Sequence, residues 1–463
     1  MFQSRIEQQF LDTPIPPIRQ DMGSVIQITG QTVFITGLNH ILQQGTRIAL
    51  RPEQGPEIRG EIIALHDGHA VATLYGSLER VKINCPVSCL AELKASPTED
   101  WIGCVLDHEG RLNNGRRPRQ GLFPLNIHQD PPKADLRKSL GGRLVTKVPA
   151  IDSFLPLCRG QRLGLFSGSG VGKSTLLGNL AKNSDADINI ITLIGERGRE
   201  VRHFIDVIMT EKGMENSIVF VATSDMAAAL KLRTAKLAMA TAEFFRDQNK
   251  HVLFLCDSLT RYAEAHREVA LSAGEIPSLR AFPPSTFNAL AHFCERAGPG
   301  ENSKGDITAV FSVLVAAENM EEPIADMVRG ILDGHIVLRR EIAHRGRFPA
   351  IDIRESVSRA LPLAATENQN KILQTARNFI ARYEDARTLL QAGMYVAGAD
   401  PLLDQAIITY PKIENFISGQ GHDDIEAAFE ALKESCAVEP PAKENSNIGE
   451  QQTSNAAATN SAA

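Results

Sequence analysis

The chain lacks any long hydrophobic run. Its longest nearly apolar stretch, residues 307–317, is eleven residues long and is interrupted by Ser312. A membrane helix needs about 20 such residues, so no crossing helix is expected. The opening residues, Met1-Phe2-Gln3-Ser4-Arg5-Ile6-Glu7, carry no positive segment leading into an apolar one, and do not read as a secretory signal. An excess of positive charge is missing too. Lys plus Arg number 49 against 55 Asp plus Glu, for a net charge of -6. Neutralising a nucleic-acid backbone takes clustered cations, so a strongly basic binder is disfavoured. The seven cysteines are scattered and odd in number. Cys85 and Cys89 have C-x3-C spacing, but no second Cys or His pair follows to complete a zinc site. Buried free thiols in a reducing cytoplasm are expected instead.

What is present is the mix of a globular chain, 43% hydrophobic and 22% charged. A length of 463 residues suggests about three domains. Residues 1–21 look helical, with Phe2, Ile6 and Phe10 on one face. That face fits a partner-binding helix, a helix docked on its own barrel, or a frayed end. Residues 22–95 contain short β-rich runs at 24–29, 32–36, 45–50, 61–65 and 69–75, separated by Gly, Asp and Pro. Such spacing predicts a small antiparallel barrel. It holds Phe34 and Tyr75 but no interleaved aromatic and basic stripe, which a base-stacking barrel would need.

Residues 96–365 alternate apolar runs with helical stretches, the pattern of a parallel α/β sheet. Strands are expected at 162–166, 188–194, 217–221, 252–256, 307–314 and 335–338. Asp225 is expected to cap a long Ala-rich helix ending near Phe245. Residues 366–436 read as helical. The stretch 437–463 has no aromatic residue and reads as a disordered tail.

Between the strand at 162–166 and an apolar helix come Gly168, Ser169, Gly170, Val171, Gly172, Lys173, Ser174 and Thr175. This is the setting of a phosphate-binding loop. Glycines let backbone N–H groups turn inward, Lys173 reaches the β and γ oxygens, and the Ser174 hydroxyl can ligate Mg²⁺. The strict pattern has Gly where this chain has Ser167. Hydrolysis also needs a metal-side carboxylate and an activated water. Asp257 ends the apolar run 252–256, at the tip of a strand. Glu196 lies in Gly195-Glu196-Arg197-Gly198-Arg199-Glu200, at the sheet edge where open α/β folds bind ligands. Spacing alone allows Glu196 to be a water-polarising base or a member of a solvated charge cluster. The cluster Arg116-Arg117-Pro118-Arg119 follows a turn signal and reads as a solvated loop.

The loop region, together with Gly195-Glu-Arg-Gly-Arg-Glu200, Asp257-Ser-Leu-Thr-Arg-Tyr262, Glu295-Arg-Ala-Gly298, Gly330-Ile-Leu-Asp-Gly-His335, Phe348-Pro-Ala-Ile-Asp352 and Ser356-Val-Ser-Arg359, resembles the flagellar export ATPases. These are related to the injectisome ATPases and to the catalytic subunits of rotary ATP synthases. The resemblance covers residues ~22–435. It implies an N-terminal β-barrel, a RecA-like P-loop ATPase core of the α/β class and a C-terminal helical domain. It implies a homo-hexamer that binds ATP and Mg²⁺ between subunits. Glu196 matches the catalytic glutamate, Asp257 the metal-side aspartate, and Arg359 an arginine that reaches a neighbour's γ-phosphate. Phe348 falls where an aromatic stacks on adenine, and Tyr395 is a second candidate for that pocket. Ala281-Phe282-Pro283-Pro284 departs from the commoner Gly-Tyr-Pro-Pro.

Implied partners are a stator-like regulator, a stalk protein in the ring's pore, export chaperones and substrates, and a membrane export gate, but no nucleic acid. The implied location is cytoplasmic, peripheral at the inner face of the cytoplasmic membrane. An injectisome ATPase shares nearly every motif and stays open. A synthase catalytic subunit and an RNA translocase fit less well, the second because its barrel would be aromatic and basic.

Overall fold

The computed structural model describes residues 22–92, 95–278, 281–316 and 319–437. The expected helix over 1–21 and all but the first residue of the expected tail lie outside the described residues.

Six strands close the N-terminal barrel: β1 (Met22–Thr29), β2 (Thr32–Thr36), β3 (Arg47–Leu50), β4 (Ile58–His66), β5 (His69–Leu74) and β6 (Pro86–Cys89). Val25, Val33, Ile35, Ile48, Ile62, Ala72 and Val87 alternate inward to fill it. The sequence pattern predicts five of these strands and misses β6. A proline inside an apolar run argues against a strand, yet Pro86 stands first, where its missing N–H removes no inner ladder bond. The Tyr75 hydroxyl donates to Glu61 at 2.8 Å.

The second unit is a largely parallel sheet in the order β15–β14–β8–β13–β11–β9–β10–β7. Its strands are β7 (Val105–Leu106), β8 (Arg162–Ser167), β9 (Ile188–Glu196), β10 (Ser217–Thr223), β11 (His251–Asp257), β13 (Asp306–Leu314), β14 (Gly334–Leu338) and β15 (Val357–Ser358), with β12 (Gly298–Pro299) paired to β13. Strands buried on both faces must be apolar throughout, which is why they are legible as continuous runs. One face packs on α1 (Lys173–Asn183) and the C-terminal helices, the other on α2 (Ala228–Asp247) and α3 (Leu259–Ser272). Trp101, the only tryptophan, is wholly buried in the second of these cores. Its indole N–H donates to Arg119 O at 2.9 Å, and its ring leans on Phe220.

Asp225 does not cap α2. The turn closed by Met226 N to Thr223 O leaves Asp225 short of the helix, whose cap position is Ala227. Asp225 bonds back to Thr223 instead, which holds its carboxyl below the ordinary range. After α4 (Arg340–His344), three helices follow among the described residues: α5 (Glu367–Gln391), α6 (Pro401–Ser418) and α7 (Ile425–Ser435). Thr366 and Gln369 form a capping box that starts α5. None of the seven cysteines is in a disulfide; Cys85, Cys158, Cys256 and Cys294 are buried as expected, whereas Cys89, Cys104 and Cys436 are only partly so. No helix among the described residues is long and apolar enough to cross a membrane.

Candidate nucleotide site

β8 delivers the chain into the loop of residues 168–172, and α1 begins at Lys173. Gly170 and Gly172 have φ of +80° and +90°, a left-handed turn that L side chains resist. A Cβ on Gly170 would meet nothing within 4 Å, so the glycine keeps its backbone open on that side. Val171 is buried and anchors the loop to the core. Ser174 and Thr175 occupy the first turn of α1, whose N-terminal N–H groups favour an anion. Ser167 extends β8, and its buried hydroxyl has no hydrogen-bond partner.

Three neighbouring strands converge on this loop. Glu196 is the last residue of β9 and Asp257 the last of β11. The Lys173 ammonium pairs with Asp257 and stands 3.5 Å from Glu196. Burial works against the charge on Lys173, but the two carboxylates outweigh it and hold the amine above its ordinary range. Glu196 is pushed up to about 7 by burial and by the charge of Asp257, with Lys173 opposing. Glu200 hydrogen-bonds the Glu196 carboxyl and is lowered by that bond.

Two residues not singled out from the sequence belong here. Ser312, in the middle of β13, donates to Asp257 Oδ1 at 2.7 Å. Its signal is the hydroxyl that interrupts an apolar run. Arg261 lies one turn into α3, a helix capped by Ser258. Its side chain covers Gly195, where a Cβ would sit 2.8 Å from Arg261 Cγ. Its field reaches Glu196 and Glu200, and Glu264 is its direct partner at 2.7 Å. Its signal is its place four residues after Asp257.

Phe348 is half exposed and lies against the loop, with its ring 3.5 Å from where a Cβ of Gly172 would sit. Tyr395 is held inside the helical domain, donating to Asp404 Oδ1 at 2.8 Å. Among the described contacts none joins it to the loop. Arg359 stands at the other end of the sheet. Its backbone N–H bonds Asp333 O, and the Asp333 carboxylate grips Arg162 at the start of β8. The six residues of β8 separate that end from the loop by roughly 17 Å. That gap exceeds the length of an arginine side chain, so Arg359 cannot reach its own chain's loop.

The residues present suit Mg-nucleotide chemistry. Ser174 and Asp257 offer hard oxygens, and Mg²⁺ takes one or two such protein ligands beside substrate phosphates.

The nucleotide-binding domain of the ATP synthase alpha/beta family matches residues 147–358, and the T3SS EscN ATPase C-terminal domain matches residues 365–434. The flagellum-specific ATP synthase of Caulobacter vibrioides is 40% identical over 403 residues, covering 86% of this chain and 91% of that one. The SPI-2 type 3 secretion system ATPase of Salmonella typhimurium is 41% identical over 399 residues, covering 85% and 90%. The assembled ATPase EscN of the enteropathogenic E. coli type III secretion system superposes with a TM-score of 0.83 at 36% identity, covering 90% of this chain and all of that one. EscN in complex with its central stalk EscO superposes with a TM-score of 0.79.

Proposed function

The chain belongs to the flagellar and type III secretion branch of the ATP synthase alpha/beta family and is a P-loop ATPase, and from that premise we propose that it works as a homo-hexameric, ATP-driven motor of the flagellar protein-export apparatus. The observation that carries the ring is the position of Arg359, beyond reach of its own loop. A site that needs this cation is complete only when a neighbour supplies it.

In that site Lys173 turns from Asp257 and Glu196 to the β and γ oxygens of ATP. Ser174 and Asp257 would hold Mg²⁺, which when bound would supply positive charge to the phosphates. Ser312 keeps the Asp257 carboxylate in one orientation. Glu196 accepts the proton of the attacking water. Phe348 stacks on adenine. The neighbour's Arg359 stabilises the charge that develops on the γ-phosphoryl group. Tyr395, held within the helical domain, has the weakest claim to the base pocket.

Hydrolysis in this reading drives chaperone release, unfolding and export of flagellar proteins. Around the α5–α6 turn Leu389, Met394, Val396, Leu402 and Ile408 are exposed, an apolar surface suited to a stalk protein in the pore. EscN, solved with such a stalk, supports this assignment. A stator-like regulator, export chaperones, and an export gate at the cytoplasmic face of the membrane complete the partners. The injectisome reading keeps the same chemistry and is favoured by the Salmonella and EscN relatives.

The test of the ring is steady-state ATPase activity against protein concentration. Specific activity should rise steeply as subunits assemble. Activity independent of concentration would mean a self-contained site and would overturn the proposal.

A pH dependence follows from Glu196. A base must be unprotonated, and this carboxyl titrates at about 7. Below that value kcat/KM should fall about tenfold per pH unit, and above it should level off. A profile flat across roughly pH 5.5–8 would remove Glu196 from the role of base.

A further inference from the structure

Phe348 is held differently on its two sides. The chain after it is sewn to β14 by the backbone: Arg339 N donates to Ala350 O at 2.9 Å, and Asp352 N to Val337 O at 2.8 Å. The chain before it is tied to the helical domain by side chains. Arg345 pairs with Glu384 of α5 at 3.3 Å. Arg347, the residue next to Phe348, pairs through Nε with Glu414 Oε2 of α6 at 3.1 Å. Its Nη2 donates to Ile351 O at 2.8 Å, which closes a loop around the Phe348 backbone.

The Arg347 side chain is only 10% exposed. Its Nε and Nη1 are both buried without a hydrogen-bond partner, so the ion pair with Glu414 and the Nη2 bond to Ile351 O carry its polar contacts. A buried guanidinium that loses its carboxylate does not stay in place, because the uncompensated charge moves toward water. The Phe348 ring is attached to the next residue. It sits on Gly172 with half its surface open, so little besides the backbone fixes its tilt.

We propose that Glu414 is a positioning residue for the nucleotide base: through Arg347 it sets the pose of Phe348, and so α6 of the helical domain governs the affinity for ATP. The inference rests on the reading of Phe348 as the base platform. Glu414 touches neither substrate nor metal in this scheme. It acts through Arg347, and it lies on the same helix as Leu402 and Ile408, two residues of the exposed apolar surface. A contact made at that surface therefore has a short mechanical route to the base.

The experiment is a double-mutant cycle in the full chain, with KM and kcat for ATP measured on wild type, Glu414→Gln, Phe348→Ala and the double variant. Glu414→Gln should raise KM about tenfold with kcat within about twofold, the signature of lost binding shared by ground and transition states. In the Phe348→Ala background the same change should have no further effect, because the residue it acts through is gone. Glu414→Asp, which keeps the charge, should recover most of the loss. Should Glu414→Gln fail to fold, Arg347→Lys reads the same coupling. Independent, multiplying effects of the two substitutions would overturn the proposal, as would an unchanged KM in Glu414→Gln. An unchanged KM in Phe348→Ala alone would instead remove Phe348 as the platform, a separate failure.

Discussion

Glu196→Gln is expected to lower kcat for ATP hydrolysis about 10³-fold while leaving nucleotide binding within about threefold of wild type. The substitution preserves shape and removes the one group placed to accept a proton. Asp257 cannot take over, because Ser312 holds its carboxylate and in this scheme it serves the metal side of the site. Lys173 keeps its charge, since Asp257 remains its principal partner. With one carboxylate fewer holding the amine back, its transfer to the phosphates becomes easier, so affinity should hold or improve. The check is single-turnover hydrolysis beside equilibrium binding of a fluorescent ATP analogue. Retention of a tenth or more of wild-type kcat would mean that another group activates the water.

Arg359→Ala is expected to remove about 10³-fold of activity, yet to be rescued by an equally inactive partner. In a head-to-tail ring each site takes its loop and Glu196 from one subunit and its arginine from the next. An Arg359→Ala subunit still offers an intact loop and glutamate. A Glu196→Gln subunit still offers an intact arginine. When the two are mixed in equal amounts and reassembled, half the sites keep Glu196 and half of those face an intact arginine. About a quarter of wild-type activity should therefore return. No recovery on mixing, with assembly shown by sedimentation, would mean that Arg359 does not act across an interface. A structural lesion alone predicts no such recovery, which makes the mixture more informative than the single variant.

Much of this was legible in the sequence, for physical reasons that differ by element. The inner sheet strands stood out because burial on both faces forces continuous apolar runs: β8, β9, β10, β11, β13 and β14 appear where those runs are, while the two-residue β7, β12 and β15 carry no such run. The glycine loop was legible because phosphate binding needs backbone freedom and a lysine in one fixed order. β6 was hidden by Pro86, whose place at the strand's first residue cannot be read locally. Asp225 looked like a helix cap because capping depends on one or two residues of register, which the Thr223–Met226 turn decides. At the site, spacing left Glu196 between a base and a solvated charge. The structure places it 3.5 Å from Lys173 and partly buried beside Asp257, a setting that supports the reading as a base. Ser312 and Arg261 went unnoticed because a lone hydroxyl in a strand and an arginine on a helix are unremarkable until the fold aims them. The Arg347–Glu414 pair could not be read at all, because it joins two parts of the chain far apart in sequence.

The burial of Trp101 has a spectroscopic consequence. A chain of this size with one indole emits, in practice, from a single place: the dry seam between the 96–130 segment and β10, with Phe220 at its side. No residue of the loop, Glu196, Asp257 or Phe348 contacts that ring in the described structure. Its emission is therefore a clock for dissolution of the α/β core and is blind to substrate. Loss of fold and loss of ligand, usually entangled in an ATPase assay, separate here into two signals without any label being added.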